Sequence, residues 1–166
     1  MKHTYYALAG GTPVLMHNER GLRHHASPEK QAFERKPAQQ RGVTPTVMGD
    51  DSGLRVLRDA LDGETDFRWV VVRGSAGDEL RAMPAYAGGG AGNWPRIELA
   101  HTVLAQPDEV AVSAGSRNPG NGLFPTTVTN WSGHFKPDDE LPSIGESAFE
   151  RAGIDVMAVP RSLMGQ

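Results

Sequence analysis

The sequence predicts an α+β fold: a mostly antiparallel sheet with one or two N-terminal helices and a C-terminal helix packed on one face. Three observations point there. Strand-like runs recur along the chain, the best being Phe67-Arg68-Trp69-Val70-Val71-Val72-Arg73, rich in aromatic and β-branched residues. Turn-forming residues punctuate these runs, with 20 Gly and 12 Pro among 166 residues, so elements are short and loops long. Helical periodicity shows near residues 51–63 and 140–152.

In chain order, Tyr5 to Leu15 alternates apolar residues around Gly10-Gly11 and Pro13, which reads as two short strands joined by a turn. Ser27-Pro28 signals the start of a short helix over Glu29–Lys36. Asp51-Ser52 reads as a helix N-cap, with Leu54, Val56, Leu57 and Leu61 on one face up to Gly63. The Phe67–Arg73 strand is closed by Gly74-Ser75-Ala76-Gly77, and Leu80–Met83 pairs back as its hairpin partner. Arg96 to Ala105 fits strand and helix alike. Val110–Ser113 is strand-like, and Gly115 to Gly122 reads as a loop. Thr126 to Trp131 alternates and is β-rich. Glu140 to Ala152 is helical, with Ile144, Ala148 and Phe149 on one face and Gly153 as C-cap, and Ile154 to Val159 closes as a strand.

Composition narrows the chemistry. The chain has no Cys, which removes disulfides, thiolate zinc sites, Cys nucleophiles and the zinc nucleobase deaminases. No apolar run approaches a membrane span and no signal peptide opens the chain, so no membrane partner is expected. Charge is uneven. Glu19–Gly42 carries six bases against three acids, whereas Val43–Gln166 carries ten bases against seventeen acids. An acidic body matches a phosphate backbone poorly. The basic stretch, with His24, His25, Pro28 and Pro37 and few large apolar residues, reads as a flexible linker.

The most specific stretch is His3-Thr4-Tyr5-Tyr6-Ala7, followed after Gly10-Gly11 by Val14-Leu15-Met16-His17-Asn18. It resembles the last block of the intein-like Hint domains in Rhs-type bacterial polymorphic toxins, where an HTYYV strand precedes a terminal VLVHN. The chemistry agrees with the resemblance. An Asn amide can attack its own carbonyl and break the next peptide bond, with the preceding His as proton donor. Glu19 follows where splicing needs Cys, Ser or Thr, so the pair would cleave without splicing. The resemblance implies three parts: 1–18, an inert Hint-domain remnant holding His17 and Asn18; 19–49, a flexible basic linker; and 50–166, a toxin domain. It further implies secretion from the producing bacterium, action in the target-cell cytoplasm and a cognate immunity protein. A monomer is expected.

Within the payload, Thr129-Asn130-Trp131-Ser132-Gly133-His134-Phe135-Lys136-Pro137 leaves a strand and turns at Gly133. It presents His134, Ser132 and Lys136 together: a base, a hydroxyl and a cation suited to phosphoryl or acyl chemistry. His101 is the other body histidine. Paired with His134, it would form the acid/base couple of a metal-independent ribonuclease needing no cofactor, with Arg96 and Asn130 binding the substrate RNA. The alternative is an ADP-ribosyltransferase with NAD as substrate, since Val72-Arg73-Gly74 ends a strand in Arg-Gly and Thr126–Thr129 resembles that family's hydroxyl-rich strand. A non-enzymatic binding module is the third reading. The glycine loop 88–92 lacks the Lys-Ser/Thr ending of a phosphate-binding loop. No metal site is expected.

Overall fold

A computed structural model describes residues 5–9, 12–16, 22, 26–47, 66–88, 95–118, 127–130, 132, 135 and 142–159. The helix expected over 51–63 lies outside them. The first two strands, β1 (Tyr5–Ala9) and β2 (Thr12–Met16), form an antiparallel hairpin in which Tyr5 faces Met16 and Ala9 faces Thr12.

Among the described residues the main sheet has six strands. They are β3 (Thr46–Val47), β4 (Phe67–Gly74), β5 (Gly77–Pro84), β8 (Ala111–Asn118), β9 (Thr127–Thr129) and β10 (Met157–Val159), in the order β10-β9-β8-β4-β5-β3. Every pairing is antiparallel except β9 with β10. Two short strands, β6 (Tyr86–Ala87) and β7 (Ile97–Glu98), pair separately, and a 3-10 turn follows at His101–Val103. The ambiguous stretch 96–105 is therefore strand first and helical turn second. With helices α1 (Pro28–Gln40) and α2 (Pro142–Arg151), the fold is α+β with the sheet dominant.

Strand alternation divides the core between the two sheet faces. Phe67, Trp69 and Val71 of β4 point to the α2 side, where they pack with Leu80, Ala82, Val128, Ala148, Phe149 and Ile154. Trp69 meets Phe149 edge-on at 5.6 Å between centroids. Helix α2 ends in a Schellman motif. Ile154 N–H donates to the Phe149 carbonyl at 3.0 Å and Gly153 N–H to Glu150 at 2.8 Å, with Gly153 at φ 72°. The opposite face carries Val70, Val72, Met83, Leu99, Val103, Leu104, Ala114 and Phe135.

Two expectations are corrected. Gly115–Asn118 is not loop but the second half of β8. A Cβ at Gly115 would lie 1.7 Å from the Thr129 carbonyl and 2.7 Å from Trp69. The glycine marks a close approach between strands, not a turn. Nor does the basic stretch read simply as a flexible linker. Ser27 caps α1, its hydroxyl accepting from Lys30 N–H at 3.4 Å, and Pro28 occupies the first turn. The helix then docks on the domain. Ala38 is buried in the second core, Arg35 Nη2 donates to the Ala105 carbonyl at 2.7 Å, and Thr102 Oγ1 donates to Glu34 at 2.6 Å. Beyond it, β3 joins the main sheet beside β5.

Candidate active site

Polar side chains gather where the start of β4 meets β7 and the 3-10 turn. Arg68 interrupts the apolar run of β4 and alternates onto the α1 side of the sheet, level with Ser116 of β8 and Thr129 of β9. Its guanidinium makes two directed contacts. Nη1 lies 2.9 Å from His101 Nδ1, and Nη2 donates to Glu98 Oε1. His101 Nε2 lies 2.7 Å from the Gly115 carbonyl.

These partners fix the imidazole. A carbonyl only accepts, so Nε2 carries the proton; a guanidinium only donates, so Nδ1 is the acceptor. His101 is thus the neutral Nε2–H tautomer, with no exposed surface. A proton at Nδ1 would displace the Arg68 bond and set two cations together. His101 therefore holds Arg68 in place rather than shuttling protons, which corrects its expected role as half of an acid/base couple.

The chain of contacts runs from core to solvent. His101 is fully buried and Arg68 nearly so, whereas the Glu98 side chain is 65% exposed. Arg68 spends two of its five N–H donors on these neighbours. The result is an accessible carboxylate beside an oriented cation, a pairing suited to taking a proton and stabilising charge that develops on an adjacent oxyanion.

Helix α1 braces the far side of the turn. Glu34 accepts from Thr102, adjacent to His101, and lies 3.8 Å from Lys30. Burial lowers the Arg35 pKa from its ordinary value, with the neighbouring Glu34 charge opposing that shift. Ser113, Thr129, Asn130 and Ser132 are also buried. The Thr129 hydroxyl donates to the Ser116 carbonyl at 3.1 Å, and Ser132 Oγ accepts from Phe135 N–H at 3.3 Å.

No protein-family model, curated protein or solved structure matches the chain.

Set against that geometry, the candidates named from sequence separate. His134, Lys136, His17 and Asn18 lie outside the described residues. Ser132, expected to supply a reactive hydroxyl, is buried and caps a turn. Asn130 is buried too, so it is not a surface ready to meet substrate. Arg96 is solvent-facing, stacked on Tyr86 with Cζ 3.8 Å from the ring centroid and Nη2 4.0 Å from Asp66. Arg73 sits at the tip of the β4–β5 hairpin, 3.8 Å from Asp78. It is five residues along β4 from Arg68, roughly 16 Å from the row holding Thr129, so the arginine and the hydroxyl-rich strand do not meet. Among the described residues, no three His, Asp or Glu side chains are grouped to hold a metal ion.

Sequence reasoning missed Arg68 and gave Glu98 no role. The signal for Arg68 was present: a lone charge inside an apolar strand needs a partner on its own face. Glu98 carried no such mark, because an exposed glutamate is ordinary.

Proposed function

We propose that the chain is the effector end of a bacterial polymorphic toxin, secreted by one cell to act in the cytoplasm of another, and that it cleaves RNA without metal or cofactor. The toxin part rests on the Hint-like block at residues 3–18, and a cognate immunity protein follows from the same resemblance. The chemistry rests on one observation: exposed Glu98 is held by Arg68, which is itself fixed by buried His101.

In this reading Glu98 takes the proton from a ribose 2′-hydroxyl. The freed O2′ bonds to the neighbouring phosphorus and the P–O5′ bond breaks. An acid, for which the sequence offers His134, protonates O5′. Arg68 steadies the charge on the non-bridging oxygens. The products are a 2′,3′-cyclic phosphate and a 5′-hydroxyl.

The acidic charge count weighs less against RNA once α1 is part of the folded unit. With its segment included, residues 19–166 hold sixteen bases and twenty acids, a net of −4 instead of −7. Arg73 at a hairpin tip gives the transferase alternative no comparable support.

The test incubates the full chain with a single-stranded RNA oligonucleotide and examines the ends of the fragments. Cleavage with 5′-hydroxyl products is expected, slowed roughly 10²–10⁴-fold in Glu98→Gln. Intact RNA alongside a folded protein would sink the reading. Labelling of target protein from biotinylated NAD would replace it with the transferase.

A further inference from the structure

Strands β6 and β7 form a small ribbon whose two faces differ. Ala87 is buried and Ile97 half-buried on one side, while Tyr86 and Glu98, directly opposed in register, face solvent on the other. Opposed residues in an antiparallel pair hold their Cβ atoms about 5 Å apart. Arg96 lies two residues before Glu98 and therefore shares its face. Its guanidinium is stacked on Tyr86 at 3.8 Å, and its side chain is 62% exposed. One exposed face thus carries, side by side, the Glu98 carboxylate gripped by Arg68 and a flat cation already backed by an aromatic ring.

We propose that the Arg96–Tyr86 stack is a nucleobase platform. It receives a base of single-stranded RNA on the outer plane of the Arg96 guanidinium, next to the phosphate that faces Arg68 and Glu98. The inference rests on the ribonuclease reading and adds to it the part of the substrate that is gripped. Guanidinium planes stack well on unpaired bases, and the contact tolerates any base because each has a π-face. Two features suit Arg96 to this. Tyr86 supports one plane from beneath, so little side-chain freedom is lost on binding. Asp66 lies 4.0 Å from Nη2, and the Arg96 side chain remains 62% exposed. The tier also selects single strands, since paired and stacked bases offer no free face.

The experiment uses the full chain carrying Glu98→Gln, so that nothing is cut, and a fluorescent 2′-O-methyl oligoribonucleotide whose binding is followed by anisotropy. In that background Tyr86→Ala and Arg96→Lys are each expected to weaken binding roughly 5- to 150-fold, the range a stacked base contributes. Arg96→Lys keeps the charge and lies on the surface, so its loss reports the flat stack rather than folding or net charge. Tyr86→Phe should restore what Tyr86→Ala loses. Combining Tyr86→Ala with Arg96→Lys should cost little more than either alone, because the two act as one unit. Arg73→Ala, at the hairpin tip, is the control for losing one positive charge elsewhere. If the parent binds and Arg96→Lys and Tyr86→Ala bind equally well, the platform is wrong while the cleavage reading stands. If the parent does not bind the oligonucleotide while the natural chain still cuts RNA, the platform falls alone; if the natural chain leaves RNA intact as well, both fall.

Discussion

Arg68 and His101 meet through one hydrogen bond, Nη1 to Nδ1 at 2.9 Å, that only the Nε2–H tautomer of the ring permits. Glutamine should replace His101 better than any apolar residue, because its amide presents a donor and an acceptor with similar spacing to the two ring nitrogens. His101→Leu leaves the Gly115 carbonyl and an Arg68 N–H without their partner in a dry site. It should lower stability by about 1–3 kcal/mol in urea unfolding. His101→Gln should recover much of that loss, and RNA cleavage should follow the same order. Equal midpoints for the two variants would show that the ring merely fills space.

Gly145 of α2 faces the Trp69 indole so closely that an added Cβ would sit 2.3 Å from the ring. In most helices Gly→Ala stabilises. Here it forces the helix away from the sheet, and Gly145→Ala should destabilise by about 1–3 kcal/mol. Pairing it with Trp69→Phe, which shortens the ring, should cost less than the two changes summed. Thermal unfolding of the four proteins of this cycle decides the matter, and simple additivity would remove Trp69 as the cause.

Helix α1 reaches the site through Thr102, whose hydroxyl bonds Glu34 while the neighbouring His101 holds Arg68. Thr102→Val keeps the volume and deletes the hydroxyl, depriving a largely buried carboxylate of a donor. About 1–3 kcal/mol of stability should be lost, and amide exchange in 28–40 should quicken more than in β4. Uniform quickening across both elements would mean that α1 does not dock as a separate unit.

Among the described residues, local order was legible at several points where it depends on neighbours in sequence. The Ser27-Pro28 start of α1, the Gly153 cap of α2 and the apolar run of β4 all declare themselves through caps, periodicity and propensity. The docking of α1 did not, because apart from Ala38 the contacts that hold it are polar. Glu34, Arg35 and the buried Gln31 and Ala38 make no apolar stripe, so the segment has the composition of a spacer. Gly115 misled for a related reason. A glycine needed for close strand approach carries the same letter as one needed for a turn. The site suffered most: His101 drew attention as a titratable group, yet it is buried against Arg68, and the exposed carboxylate that the proposed cleavage uses is Glu98, which nothing local distinguishes.

Arg81 and Glu109 give the fold a pH-dependent clasp beside the turn that carries His101. Arg81 of β5 forks onto Glu109 at 2.6 and 2.8 Å, touches Glu79, and donates to the Leu104 carbonyl at 3.2 Å; Glu109 also accepts from Gln106 N–H at 2.7 Å. The bonds from Arg81 hold the Glu109 carboxyl below the usual carboxylate range, and Glu109 in turn raises Arg81. The folded value of Glu109 is depressed, so its contribution to stability is present above the unfolded value of about 4.3 and is lost as pH falls through the folded one. Glu109→Gln should therefore cost about 1–2 kcal/mol at pH 7, a modest figure because the pair is partly open to water. The gap to the natural chain should narrow steadily below about pH 4.5. Denaturant midpoints taken from pH 7 to pH 3 give the comparison, and two curves that stay parallel across that interval would show that the fork carries none of the acid sensitivity.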